Sequence, residues 1–220
     1  MQTEYLIKDL RYVRNNERRK IMTITYPINN NLYVNITNKC SNRCEFCIRN
    51  FGDSMGTSNT LWLENEPTSE EILADILKND LYRYKELVFC GYGEPLQRLE
   101  TVVEVLKELK KHSQISVRIN TNGQADLIYD RPTAQELKGL VDIISISLNA
   151  PDAQSYDKMC HSNFGEAAFD AILKYASDCK NYIPEVIMTV VDVIDTQQIE
   201  LCRELTKKLS VTFRVRHMTD

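Results

Sequence analysis

Basic residues are not in excess in this chain. Against 27 Lys and Arg stand 31 Asp and Glu in 220 residues, a net charge of −4, which argues against a protein that grips nucleic acid through an overall basic surface. No apolar run approaches membrane-spanning length. The opening Met1-Gln2-Thr3-Glu4-Tyr5 lacks the basic-then-apolar pattern of a signal peptide, so the expectation is a cytoplasmic protein away from membranes. Histidine is scarce: His112, His161 and His217 are the three present, each isolated in sequence, and none forms a metal-ligand pair with another. The seven cysteines are an odd number, which suits a reduced protein better than a disulfide framework. No internal repeat appears beyond the rhythm of secondary structure.

What is present is a regular succession of strand and helix. Leu32, Val34 and Ile36 alternate with Tyr33, Asn35 and Thr37, the period of a half-buried strand. Further strands are expected at Glu86–Cys90, Ile115–Asn120, Ile144–Asn149, Glu185–Asp192 and Val211–Arg216. Helices are expected from Thr68, where a capping hydroxyl precedes Glu70 and Glu71, and at Leu99–Lys111, Thr133–Leu140, Phe164–Cys179 and Thr196–Leu209. Strand then helix, about six times over, is the pattern of parallel βαβ units. Most strands alternate rather than reading as continuous apolar runs, which favours a curled sheet over a doubly wound one. The fold class expected is therefore α/β, a partial (β/α)6 parallel barrel. Its apolar residues face the helices, while Asn35, Arg118, Asn120, Ser145, Ser147, Asn149, Arg214 and Arg216 line the interior. Residues 1–27 read as a basic N-terminal extension and 28–220 as a single core domain. The basic block Arg11, Arg14, Arg18, Arg19 and Lys20 reads as a solvated arm, and Met22 is an alternative start. The stretch Asn50–Pro67, with the one tryptophan, Trp62, is too long for an ordinary connection; a lid and a disordered insertion are both open.

The chemistry concentrates in Cys40-Ser41-Asn42-Arg43-Cys44-Glu45-Phe46-Cys47, on the loop after the Leu32–Ile36 strand. In parallel βα barrels the functional groups sit at the C-terminal rim of the strands. A closed zinc site needs four ligands and commonly a second Cys or His pair, which is missing. An iron–sulfur cubane can take three thiolates from one tight loop and leave its fourth iron for another ligand. Cys90, Cys160, Cys179 and Cys202 are too scattered for a second motif and read as small buried residues.

The Cys-x-x-x-Cys-x-x-Cys loop is joined by Gly91-Tyr92-Gly93-Glu94-Pro95 after the next strand and by Thr121-Asn122-Gly123 after the third. In that order, these motifs resemble those of the radical S-adenosylmethionine (SAM) superfamily. Together with Asn31–Asn38, Ser145–Ala150 and Phe213–Arg216 they are most similar to the small TatD-associated radical SAM proteins, over about Tyr26 to the end.

The resemblance implies an enzyme in which Cys40, Cys44 and Cys47 ligate a [4Fe-4S] cluster whose fourth iron is chelated by the methionine part of SAM. It places Phe46 near the adenine, and Tyr92, Gly93, Glu94 and Pro95 at the methionine ammonium, with Tyr92 standing where the superfamily usually has a glycine. Asn120 and Asn122 belong to the same cofactor set, Ser147 and Asn149 meet the ribose, and Thr189 and Val190 border the adenine. Reductive cleavage of SAM would give a 5′-deoxyadenosyl radical that takes hydrogen from a substrate. Implied partners are an electron donor such as flavodoxin or ferredoxin and a TatD-type hydrolase. Arg118, Arg214 and Arg216, if they point inward, suit an anionic small molecule; pairing with acids at the barrel base is the alternative. Two other functions stay open: an activase that installs a radical on a partner protein, and an iron–sulfur or zinc sensor that binds no SAM.

Overall fold

A computed structural model describes residues 23–55 and 58–218. One seven-stranded sheet runs through it in strict chain order. Its strands are β1 (Thr25–Ile28), β2 (Asn31–Val34), β3 (Glu86–Phe89), β4 (Ser116–Thr121), β5 (Ile143–Ser147), β6 (Glu185–Val191) and β7 (Thr212–Arg216). From β2 onward every pair is parallel. β1 lies antiparallel on β2 through a tight turn at Asn29, whose φ of 51° is one an asparagine tolerates. The six parallel strands match the expected set. β1 is an addition: the sheet begins inside the stretch assigned to the extension, while the basic block and Met22 lie outside the described residues.

Among the described residues six α-helices cross over between strands: α1 (Ser69–Leu77), α2 (Leu99–Leu109), α3 (Ala125–Tyr129), α4 (Ala153–Cys160), α5 (Ala167–Cys179) and α6 (Thr196–Leu209). α1 starts at a capping box in which Thr68 and Glu71 satisfy each other's backbone amides, and α6 repeats the device with Asp195 and Gln198. α3 and α4 were not anticipated. The expected helix at Thr133–Leu140 is only a 3-10 turn, Ala134–Leu137, because Gly139 at φ 73° turns the chain out of the helical region. Among the described residues no helix is long and apolar enough to cross a membrane.

The helix-facing side of the sheet is apolar. Leu32, Val34, Leu87, Phe89, Val117, Ile119, Ile144, Ile146, Met188 and Val190 are buried there against Ile72, Ile76, Val102, Leu106 and Ile172 of the helices. Register puts Tyr33, Val88, Arg118 and Ile143 on the opposite face, and Ser147, Thr189 and Arg214 beside one another further along it. That face is concave. Arg216 belongs to the strand at one edge, yet its positive charge acts on Tyr33 and Cys90 of β2 and the end of β3, several strands away. Only a curled sheet brings β7 opposite β2 and β3, and an open edge remains because β7 does not pair with β1. This is a partial barrel of the α/β class.

Candidate functional site

The C-terminal ends of β2, β3 and β4 converge on one rim. β2 runs into the cysteine loop, and the loop's first half sits on a buried polar network. Ser41 Oγ donates to Gln124 Oε1 at 2.7 Å and Asn122 Nδ2 donates to Ser41 Oγ at 2.8 Å. Gln124 Nε2 donates to Asn42 Oδ1 at 2.8 Å and to Tyr156 Oη at 3.0 Å, and Asn42 Nδ2 donates to the same hydroxyl at 2.9 Å. Ser41, Asn42, Gln124 and Tyr156 are all buried, so each group finds its partner within the network. The loop backbone is also pinned to the end of α4, with Arg43 N donating to Cys160 O and Glu45 N to Met159 O. Of these positioning residues only Asn122 was singled out from sequence, as part of the cofactor set; the roles of Ser41, Asn42, Gln124 and Tyr156 were not. Tyr156→Phe removes the hydroxyl that accepts from both amides, and should lower stability by about 1–3 kcal/mol, read as an earlier midpoint in urea with an unchanged slope.

The glycine motif locks onto this loop by close packing. Glu94 N donates to Lys39 O at 2.8 Å, and a Cβ on Gly93 would lie 2.4 Å from Thr37 O and 2.6 Å from Lys39 O. The Glu94 side chain then ties β3 to β4: its carboxylate accepts from Leu96 N, from Thr121 Oγ1 at 2.7 Å and from Asn122 N at 2.6 Å. Burial pushes the Glu94 carboxyl up, against the pull of these three donors.

Several of the expected site residues also have partners inside the protein. Both Glu94 oxygens accept bonds from the rim, and Pro95 is buried at the head of a 3-10 turn. Tyr92 turns toward the Asn50–Pro67 stretch: its hydroxyl donates to Gly52 O at 2.5 Å and its ring meets Trp62 edge-on at 5.0 Å. Its bulk therefore suits the neighbouring insertion. Asn35 is also spent on packing, donating to Thr23 O and Leu61 O and accepting from Tyr92 N, and so lines no cavity. Val190 faces the helix layer and is fully buried. Thr189, also buried, donates to Ile146 O. Arg118 is paired with Glu86 at 3.1 Å, both side chains only 11–12% exposed, which is the acid-paired alternative.

The Asn50–Pro67 stretch, in its described residues, is packed rather than loose. Leu61 and Leu63 are buried, Asn38 exchanges hydrogen bonds with Leu63, and Glu66 accepts from Thr37 and Lys39. Arg49 joins this stretch to the cysteines, with Nε donating to Cys47 Sγ at 3.3 Å and the guanidinium 5.9 Å from the Trp62 ring centre.

Around the sulfurs, Asn122 Nδ2 lies 3.9 Å from Cys40 Sγ and Asn42 N 3.4 Å from it. Burial, with Glu94 nearby, pushes the Cys40 thiol up to about 12. A thiol–thiol hydrogen bond with Cys160, then burial, raises Cys44 as well. Cys160 thus stands beside the motif, and Asn149 Nδ2 reaches its sulfur at 3.8 Å. Asn149 itself adopts φ 58° at the end of β5. No three Cys, His, Asp or Glu side chains among the described residues gather tightly enough for a single metal ion. A cubane spreads its ligand sulfurs over separate irons, so this spacing does not oppose one. The donor set also fits iron: three cysteines, partly exposed and unpaired by disulfides, with amide donors directed at the sulfurs. Because the Cys40 and Cys44 thiols are protonated at neutral pH, cluster assembly must release their protons. Reconstitution with iron and sulfide should acidify a weakly buffered solution and become more favourable as pH rises, by about tenfold per unit for each proton released.

Beside Phe46 lies a cavity of about 490 Å³, lined also by Glu45, Phe51, Met159, Val193 and Ile194. Ser147 stands half-buried at the end of β5.

A family model described as the radical SAM superfamily matches residues 34–207. Among curated relatives, a tungsten-containing aldehyde ferredoxin oxidoreductase cofactor-modifying protein of Pyrococcus furiosus is 26% identical over 166 residues, covering 73% of this chain and 43% of the relative. A probable GTP 3′,8-cyclase of Thermococcus kodakarensis is 28% identical over 153 residues, 68% of this chain and 46% of its own. The chain thus spans less than half the length of these relatives. Among solved structures, Streptococcus suis SuiB bound to S-adenosylmethionine superposes with TM-score 0.60 at 15% identity, covering 84% of this chain and 38% of SuiB. A radical SAM methyltransferase from Sphaerobacter thermophilus gives TM-score 0.58 at 15% identity, covering 88% and 68%. At such identities these two likenesses speak to the fold.

Proposed function

Because the chain belongs to the radical SAM superfamily, we propose that it is an enzyme binding a [4Fe-4S] cluster through Cys40, Cys44 and Cys47 and S-adenosylmethionine at the adjoining rim. The observation that carries this is the convergence of the three motifs: the cysteine loop is clasped by Gly93 and Glu94 at Lys39 and touched by Asn122 at Cys40. A cluster held by Cys40, Cys44 and Cys47 would supply the electron for reductive cleavage of SAM, and the chemistry so generated would be the abstraction of hydrogen from a substrate on the concave face. The protein's own task is positioning. Glu94 fixes the β3 and β4 ends to each other, and the Ser41–Asn42–Gln124–Tyr156 network holds the loop between the first two ligands. Backbone groups of the Tyr92–Gly93 turn, with the Glu94 carboxylate beside them, would meet the methionine ammonium. Phe46 with Val193 and Ile194 forms an apolar wall suited to the adenine, and Ser147 and Asn149 lie at the strand end assigned to the ribose.

On motif grounds the nearest group is the TatD-associated one, with a TatD-type hydrolase as partner and flavodoxin or ferredoxin as electron donor in the cytoplasm. Equilibrium dialysis of the reconstituted protein with SAM tests the reading. Retention of about one SAM per cluster, lost without iron, is expected; equal retention with and without the cluster, or none, would remove it, and none would favour a sensor.

A further inference from the structure

We propose that Arg214 and Arg216, on the concave face of β7, form a subsite for the carboxylate or phosphate group of a small-molecule substrate. What happens to that substrate rests on the radical SAM reading; the binding does not.

The charge balance on the concave face motivates the assignment. Arg118 is neutralised by Glu86 at 3.1 Å, whereas among the described residues no carboxylate forms an ion pair with Arg214 or Arg216. The acid on the adjoining rim is Asp192, whose backbone amide donates to Arg216 O. Its carboxylate is engaged by His217 Nδ1 at 2.7 Å and Met218 N at 2.9 Å. Among the described residues, two exposed guanidinium groups therefore remain without counter-ions. Residues two apart on one strand share a face about 6.5–7 Å apart, a spacing two flexible arginine side chains can close around one anion. Phe213 and Val215, the intervening residues, pack toward the helix layer, which fixes the arginines on the other side.

Across the concave face lies an unspent polar group. Asn120 Oδ1 is buried without a hydrogen-bond partner, and such a group in a native fold calls for a ligand or water. Cys90 is beside it. Its thiol is raised by burial and pulled back by Arg216, by a hydrogen bond with Asn120 and by Arg118. Cys90 follows helix-facing Phe89 and so turns to the same sheet face as Asn120 and the solvent-exposed Arg214 and Arg216, near the C-terminal rim. The ligand chemistry that satisfies this face is an anionic group for the arginines with a hydrogen-bond donor for Asn120 Oδ1.

Cys90 provides the reporter. Its thiolate displaces iodide from iodoacetate or from iodoacetamide, forming a carbon–sulfur bond as iodide leaves with the bonding electron pair and the thiol proton passes to solvent. The two reagents differ mainly in charge, so the ratio of their rates at the Cys90 peptide, read by mass spectrometry on the full chain, cancels changes in thiol ionisation or access. The iodoacetate-to-iodoacetamide ratio should fall about tenfold in an Arg214→Gln/Arg216→Gln variant and stay unchanged in Arg203→Gln, whose side chain lies on α6 over Phe213.

In the unsubstituted protein, millimolar phosphate or malonate should slow iodoacetamide labelling of Cys90. Protection by phosphate alone assigns a phosphate, by malonate alone a carboxylate. An unchanged ratio with no protection by either anion overturns the subsite. So does displacement of the anion by SAM, which would give the arginines to the cofactor. Labelling needs neither iron nor SAM, so its failure leaves the radical SAM reading in place, and failure of SAM binding leaves the anion site in place.

Discussion

Replacing Cys40, Cys44 or Cys47 by alanine should reduce the iron retained after anaerobic reconstitution from about four atoms per chain to less than one, and 5′-deoxyadenosine formation to background. The effect is expected to be that large because, in the proposed ligation, three side chains on one loop carry the whole protein share. The loss should not be one of folding. All three cysteines are partly exposed, and besides weak contacts to sulfur the loop is held by backbone bonds to Met159 and Cys160 and by the Ser41–Asn42–Gln124–Tyr156 network. Stability of the iron-free variants should therefore shift by no more than about 1 kcal/mol. Iron binding that survives any one substitution at full occupancy would show that another residue ligates. Cys160, adjacent to Cys44, is the first to examine.

Gly93→Ala should have the second largest effect, by a different route. Its Cβ would be driven into the carbonyl oxygens of Thr37 and Lys39, which are backbone atoms and cannot swing away. The clasp between the glycine turn and the cysteine loop must open, losing the Glu94 N to Lys39 O bond and disturbing the Glu94 contacts to Thr121 and Asn122. A cost of about 3 kcal/mol or more is expected, visible in urea unfolding, together with loss of SAM retention. Gly52→Ala is the comparison: a Cβ there has nothing within 4 Å, and it should be neutral to within about 0.5 kcal/mol. Equal stability of the two variants would contradict the close packing described.

Much of this architecture could be read from the chain because its signals are local. The alternation of Leu32 and Val34 with Tyr33, and of Val117 and Ile119 with Arg118 and Asn120, marks both the strands and the face each residue takes. The three loop motifs lie next to strand ends, so parallel topology alone brings them to one rim. What escaped has no local signature. β1 is four residues containing Pro27, too short to alternate visibly, and α3 has only five residues. The network beneath the cysteine loop draws Ser41, Asn42, Gln124 and Tyr156 from three separate segments, and no spacing rule links them. Glu94 matches its motif by identity, but its role is decided by Thr121 and Asn122, which reach it from the next strand. Likewise Arg118 reads as a free cation until Glu86 is placed beside it by the parallel register of β3 and β4.

One measurement bears most directly on the whole account: anaerobic reconstitution with iron and sulfide, reduction, addition of SAM, and chromatography for 5′-deoxyadenosine. The account predicts 5′-deoxyadenosine from the unsubstituted chain, even slowly and without the native substrate, and none from the variant lacking all three motif cysteines. A stable, reducible cluster that binds SAM but never yields 5′-deoxyadenosine, or a product that forms equally in the cysteine-free variant, would contradict it.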